Sequence, residues 1–352
     1  MTPDSIRIRY STPSQRIIAA GIVIAFCYFA ASVVTMVLLS VLVAYFLDPL
    51  VEGLERFRLP RVLGSLAVVI LSVALVAGLV YLLYDRAEHF ANDWPRYSKV
   101  LREASSAVER RLEKLERGVS QIAPDDAQHP KNIVHVEEDS PVRKLLVRGL
   151  GSLYTVLLEV TFVPFLVFFM LAAKRDVWHA TLQLFPTAER TRVKEVLDNV
   201  SVVLRSYVMG NALVFLILAL VSWGFFWMMD LDYPFLTGVV SGLLNLVPYF
   251  GAVLAWIPPM LIGLTQRPTF GFFFIVALML SVFHLIAMNF LIPAMVGRQV
   301  QLNALAVTIS LLFWGWLWGG VGLLLAIPIT ATLKVICDHV ESWQPVGRWL
   351  GS

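Results

Sequence analysis

The chain has 352 residues, 58% of them hydrophobic and only 15% charged, with a formal net charge of +3 and a mean hydropathy of +0.74. That composition excludes a soluble enzyme, a disulfide-stapled secreted scaffold and a nucleic-acid binder. The small basic excess calls for no polyanionic partner.

Seven stretches are almost free of charge: 17–47, 62–84, 149–173, 207–229, 233–266, 269–297 and 302–333. Glu159 is the single Lys, Arg, Asp or Glu within them. A spanning helix needs roughly 20 apolar residues, whereas a membrane barrel shows short alternating segments. The reading is therefore an all-α, polytopic helical membrane protein, embedded in the lipid bilayer, without cofactor or metal.

The run 17–47 follows Arg7, Arg9 and Arg16. It is too long for the apolar region of a cleavable signal peptide and is taken as membrane domain. Arg56, Arg58 and Arg61 lie between 48 and 61, and Lys174, Arg175, Arg190, Arg192, Lys194 and Arg205 lie in 174–206. The positive-inside rule puts all these segments in the cytoplasm. Run 17–47 then crosses an even number of times, most simply as two short helices, and 85–148 lies outside. The expected organisation is 1–84 as N-terminal membrane helices, 85–148 as an extramembrane insert, 149–340 as a transport core and 341–352 as a tail.

Within the insert, Leu101, Val108, Leu112, Leu115, Val119 and Ile122 follow a heptad pattern. It predicts an amphipathic helix that packs on a neighbouring subunit or on its own membrane domain. A polar, proline-containing connection follows. Residues 188–206, with Val193, Val196, Leu197, Val200, Val203, Leu204 and Tyr207 on one face, predict an interfacial helix on the anionic leaflet.

The runs 233–266 and 302–333 are longer than one crossing requires, and both carry breakers. In the first these are Pro248 and Gly251, followed by Pro258 and Pro259; in the second the cluster runs from Trp314 to Gly320. Re-entrant hairpins are open to both, because non-helical backbone at membrane depth is tolerated where protein or a watery cavity surrounds it. The GxxxG pairs Gly238/Gly242 and Gly315/Gly319 predict close helix packing.

Enzymatic motifs are missing: the chain has no Gly-Lys dipeptide, hence no phosphate-binding loop, and nothing resembling HExxH or GxSxG. What remains is polar chemistry at membrane depth. Glu159, an intramembrane acid, suits a proton or cation relay, or else caps a neighbouring broken helix or snorkels to water. His284 can titrate in a proton pathway or serve as a hydrogen-bonded packing residue. Pro248 frees backbone carbonyls one turn before it. Asn245 satisfies those carbonyls or offers them, with its own amide, to a solute, as broken transporter helices do near the midplane. Asn289 and Pro293, then Pro328, repeat the apolar-then-proline device.

Four motifs carry a resemblance. They are Asp48-Pro49-Leu50-Val51 with Leu54-Glu55, Asn245-Leu246-Val247-Pro248-Tyr249-Phe250-Gly251, Pro293-Ala294-Met295-Val296-Gly297, and Gly319-Gly320-Val321-Gly322 with Ala326-Ile327-Pro328. In order and spacing they resemble the autoinducer-2 exporter family of bacterial permeases. The resemblance implies an inner-membrane secondary transporter of about seven or eight spans, exporting a small polar solute such as autoinducer-2 or exchanging sodium for protons, and assembling as a homo-oligomer. Tyr249, Gly251, Gly297 and Gly322 join Glu159, Asn245, Pro248, His284, Asn289, Pro293 and Pro328 as expected pathway residues. A non-transporting oligomeric scaffold is the alternative.

Overall fold

The computed structural model describes residues 13–84, 99, 106, 160–245, 247, 250–295 and 302–351. The heptad-patterned insert, Glu159, Pro248, Tyr249 and Gly297 lie outside the described residues. Among those described, regular structure is helical throughout. In chain order the helices are α1 Pro13–Phe29, α2 Ala31–Arg56, α3 Arg61–Tyr84, α4 Val160–Ala172, α5 Lys174–Gln183, α6 Arg190–Met228, α7 Pro234–Asn245, α8 Gly251–Leu254, α9 Ile257–Gln266, α10 Phe270–Ile286, α11 Ile292–Met295, α12 Ala304–His339 and α13 Gln344–Leu350. Five described helices are long and apolar enough to cross a membrane: α2, α3, α6, the continuous stretch Phe270–Met295, and α12.

The chain divides into two units. The first comprises Met1–Val69, Thr155–Arg205 and Gln299–Ser352; the second comprises Ile70–Tyr154 and Ser206–Arg298. In the first, run 17–47 breaks at Ala30 into α1 and α2, and α2 continues to Arg56. The loop expected from residue 48 is thus reduced to the residues around Arg58, which takes a left-handed φ of 64°. Helix continues because Asp48, Glu52 and Glu55 repeat on nearly one face, where each finds a cation. Leu47 and Val51 of α2, Val68 and Val69 of α3, and Val167 and Leu171 of α4 form the core of this unit. The outward residues Ile70, Leu71 and Leu75 of α3 are exposed, as a lipid-facing surface requires.

Helix α12 is continuous in sequence but not in direction. At Gly319 the backbone takes φ 60° and ψ −136°, a region open essentially to glycine alone. Beyond it the chain runs back along itself. Gly315 faces Leu323, Gly322 lies against the Trp314 carbonyl, and Ser310 Oγ donates to Thr330 Oγ1 at 2.6 Å while Thr330 Oγ1 donates to Ala326 O. These pairs are nearly symmetric about residue 319. At 1.5 Å per residue the arm 304–318 is about 22 Å long, short of a roughly 30 Å hydrocarbon core. The hairpin's two feet meet through the tail, where Asn303 donates its amide hydrogens to Trp349 O and Gly351 O. Its second foot also meets α6, through Asn199 to His339 and Arg192 to Glu341. At the tip, Trp318 Nε1 donates to Cys27 O of α1 at 3.0 Å, and Trp316 stacks on Tyr28.

Residues 188–206, expected as a separate interfacial helix, form most of the first half of α6. That helix runs unbroken for 39 residues, about 58 Å, nearly twice the hydrocarbon thickness. No proline or positive φ interrupts it. In the second unit α7 folds back along α6. A Cβ on Gly238 would stand 2.6 Å from Trp223 N, and one on Gly242 2.9 Å from Ala219 Cα, so the bare glycines set the spacing of the two backbones. Phe226, Leu231, Ile262, Phe272, Val276 and Leu280 form the main core of this unit, and Val214, Leu218 and Ala287 form a smaller one.

Candidate transport site at a helix break

The segment 233–266 is a second hairpin. Gln266 closes its feet by accepting from Asp232 N at 3.0 Å and donating to Asp230 O at 2.8 Å. Ser241 Oγ of α7 donates to Ala255 O across the arms at 2.9 Å, fully buried. The arms 234–245 and 251–266 measure about 18 and 24 Å, again too short to span. The chain reverses between Asn245 and Gly251, where Val247 N donates to Leu244 O and Gly251 N donates to Val247 O at 2.7 Å. Gly251 permits this closeness, since a Cβ there would collide with the Asn245 carbonyl.

Opposite the break stands α10, itself irregular. Pro293 cannot donate to Asn289 O, and its ring crowds that carbonyl. The helix widens into a π turn over Ala287–Leu291, a distortion that recurs at functional sites. Asn289 stays local, its Nδ2 donating to Leu285 O at 2.8 Å.

One turn before the π segment, His284 Nδ1 meets Asn245 Oδ1 at 2.8 Å. With the carbonyl oxygen of Asn245 as acceptor, Nδ1 carries the hydrogen, and Nε2 is left as the ring's acceptor. Both residues are half-buried, and the adjacent Phe283 packs edge-on against Phe225 at 5.9 Å. A neutral imidazole and an amide, held at the end of a broken helix among aromatic and aliphatic groups, can exchange their mutual hydrogen bond for bonds to a small polar solute.

The structure therefore brings together Asn245, His284 and Gly251, with Asn289 in the π turn that follows α10 and Pro293 in α11. Gly315, Gly319, Gly322 and Pro328 belong to the α12 hairpin of the other unit, where Pro328 is buried within the second arm.

The sequence reading missed an ion network in the first unit. Asp48, with its side chain 4% exposed, binds Arg61 at 2.8 Å and Lys174 at 2.5 Å. Glu55 joins Arg61 and Arg175, and Glu52 joins Lys174 and Arg205. Arg61 Nε also donates to Leu171 O at 2.8 Å, which ties the start of α3 to the end of α4. The available signal is the one-face spacing of 48, 52 and 55 beside a proline, whereas the basic residues by themselves read only as loop charges. Two cavities adjoin this region. One, of about 330 Å³, reaches Asp48 and Lys174, and the other, of about 300 Å³, reaches Pro328 and Thr332. Both are walled mainly by aliphatic side chains.

A chain that is helical throughout its described residues, with five helices long and apolar enough to cross a membrane, is of the multi-pass membrane class. Residues 17–342 match the family described as AI-2E family transporter, and the chain belongs to that family. It is 28% identical to AI-2 transport protein TqsA of Escherichia coli (strain K12), over 90% of this chain and 89% of that protein. It is also 28% identical to "Putative transport protein YrrI" of Bacillus subtilis (strain 168), over 86% of this chain and 85% of that protein. The family is one of permeases, not enzymes.

Proposed function

We propose that this permease carries a small polar solute outward across a bacterial inner membrane, and that Asn245 and His284 form part of its binding site. The observation that carries the reading is their hydrogen bond at the break between α7 and α8. A polar pair in apolar surroundings is costly unless used or satisfied; here the two share one hydrogen bond that leaves the ring's Nε2 as an acceptor, while the π turn after α10 and the hairpin supply backbone groups freed from regular helix. Autoinducer-2 is the first solute to test, because a relative similar along nearly its whole length is named for AI-2 transport. The bacterial relatives support the inner membrane as its location, and a homo-oligomer, as the resemblance implies, completes the reading.

Coupling to sodium or protons is the second part of the proposal. Histidine is the side chain whose ordinary charge change falls nearest neutral pH, and His284 is the one histidine of α10, so it is the residue we assign to proton coupling. The test is flux in proteoliposomes with a panel of polar solutes and imposed sodium or proton gradients. Solute movement should accelerate when a proton gradient is imposed and stay unchanged under a sodium gradient alone. Acceleration by sodium alone would remove His284 from the coupling step, and sodium/proton exchange without solute would replace export altogether.

A further inference from the structure

The network around Asp48 has an unequal charge count. Among the described residues, four cations, Arg61, Lys174, Arg175 and Arg205, share three carboxylates, Asp48, Glu52 and Glu55. One positive charge is left over. The innermost partners are tightly engaged, with Arg61 and Asp48 side chains 11% and 4% exposed and Lys174 reaching both Asp48 and Glu52, so the excess falls to the outer arginines, Arg175 at 69% and Arg205 at 43%. Beside Lys174 opens the cavity of about 330 Å³, whose other walls include Val41, Ala44, Met170, Leu171 and Leu197. Its size is at the lower end of sites that hold small organic ligands.

A site with one charged end and a long apolar wall fits an amphiphile rather than a polar solute. The helix that borders it supports the same reading. α5 buries none of its residues, yet it and the turn after it expose Val177, Leu184 and Phe185, while Trp178 lines the cavity. Apolar groups beside basic ones, with a tryptophan, are the composition of a segment lying at the headgroup level. The basic loops place this end of the unit at the cytoplasmic leaflet, whose anionic lipids attract such a patch.

We propose that the cavity beside Asp48 binds one anionic phospholipid of the cytoplasmic leaflet, with an acyl chain between α2, α4 and α6 and its phosphate at Lys174 and Arg175. The phosphate supplies the missing negative charge without displacing a carboxylate, and the chain fills a space that water would occupy poorly. This assignment is independent of the solute site in the other unit.

The test uses the full chain in mild detergent, titrated with phosphatidylglycerol or with phosphatidylcholine of the same acyl chains, and bound lipid counted by native mass spectrometry. One phosphatidylglycerol per chain should be retained, at least about fivefold better than phosphatidylcholine. Ala44→Phe, which fills the cavity, and Arg175→Gln, which removes the excess charge, should each lower that retention by a similar factor of about five. If Ala44→Phe does not fold, Val177→Asp serves instead, since Val177 is 59% exposed and the new carboxylate would repel the phosphate at the cavity mouth. Equal retention of the two lipids would overturn the proposal, as would retention indifferent to the substitutions. Preferential capture of a free fatty acid such as laurate would also overturn it. So would a cavity-filling variant that changes the number of chains per particle while lipid counts hold, for the surface would then be an interface between copies.

Discussion

Asp48→Ala should unfold this protein more readily than any substitution of an exposed charge. The Asp48 carboxylate is nearly inaccessible and accepts from both Arg61 and Lys174. Removing it leaves the Arg61 guanidinium, itself almost buried, without one of its two carboxylates. Breaking a buried ion pair from one side costs about 3–5 kcal/mol, because the remaining charge loses both water and partner. A native protein holds only about 5–15 kcal/mol in reserve. Arg61 also fixes the Leu171 carbonyl, so the damage should spread from α2 to the contact of α3 with α4. Thermal unfolding in mild detergent, followed by tryptophan fluorescence, reads the effect. Arg192→Ala is the control: its bridge to Glu341 spans 3.4 Å between side chains 47% and 84% exposed, and such a pair contributes about 0–1 kcal/mol. Equal midpoints for the two variants would show that the network does not hold the unit together.

Gly322→Val should open the α12 hairpin. A Cβ at this position would overlap the Trp314 carbonyl oxygen and press on the Trp318 side chain. The obstacle is backbone in the facing arm, which cannot move aside as a flexible side chain can. Overpacking in a well-packed interior usually costs about 1–3 kcal/mol, and here the cheapest relief is separation of the arms. The reporter is a disulfide. Ser310 and Thr330 touch through their hydroxyls across the hairpin, so Ser310→Cys with Thr330→Cys, in a chain also carrying Cys27→Ala and Cys337→Ala, places two thiols within bridging reach. Oxidative closure should be rapid with Gly322 present and strongly reduced in Gly322→Val. Unchanged closure would mean that the hairpin tolerates a side chain at its tip.

Much of this architecture is legible in the sequence because hydropathy and helix geometry act locally. The apolar run 62–84 corresponds to α3 over Arg61–Tyr84, and 269–297 to the helical stretch Phe270–Met295. The two over-long runs that carry breakers near their midpoints, proline and glycine in 233–266 and glycines in 302–333, are the two hairpins. Less visible was anything that depends on partners distant in the chain. Asp48 lies 126 residues from Lys174, and no local pattern shows that a charge next to a membrane helix will be buried there instead of ending it. For the same reason α2 was expected to stop near residue 47, although its acidic face is neutralised and helix continues to Arg56. Asn245 and His284 were each singled out by their polarity at membrane depth. Their mutual hydrogen bond, across 39 residues, needed the fold.

The most direct test of the account is solute flux by reconstituted protein carrying Asn245→Leu, His284→Phe, or both. Autoinducer-2 would be included in the panel of solutes. If the pair binds the solute, the parent chain shows saturable flux above protein-free vesicles. Each single substitution lowers that flux by roughly tenfold or more, the loss expected when a half-buried polar group is left unmatched. The double substitution is then scarcely worse than the poorer single one, since both act on one interaction. Parental flux in either single variant, or no flux above protein-free vesicles from a parent chain that remains folded, would contradict it.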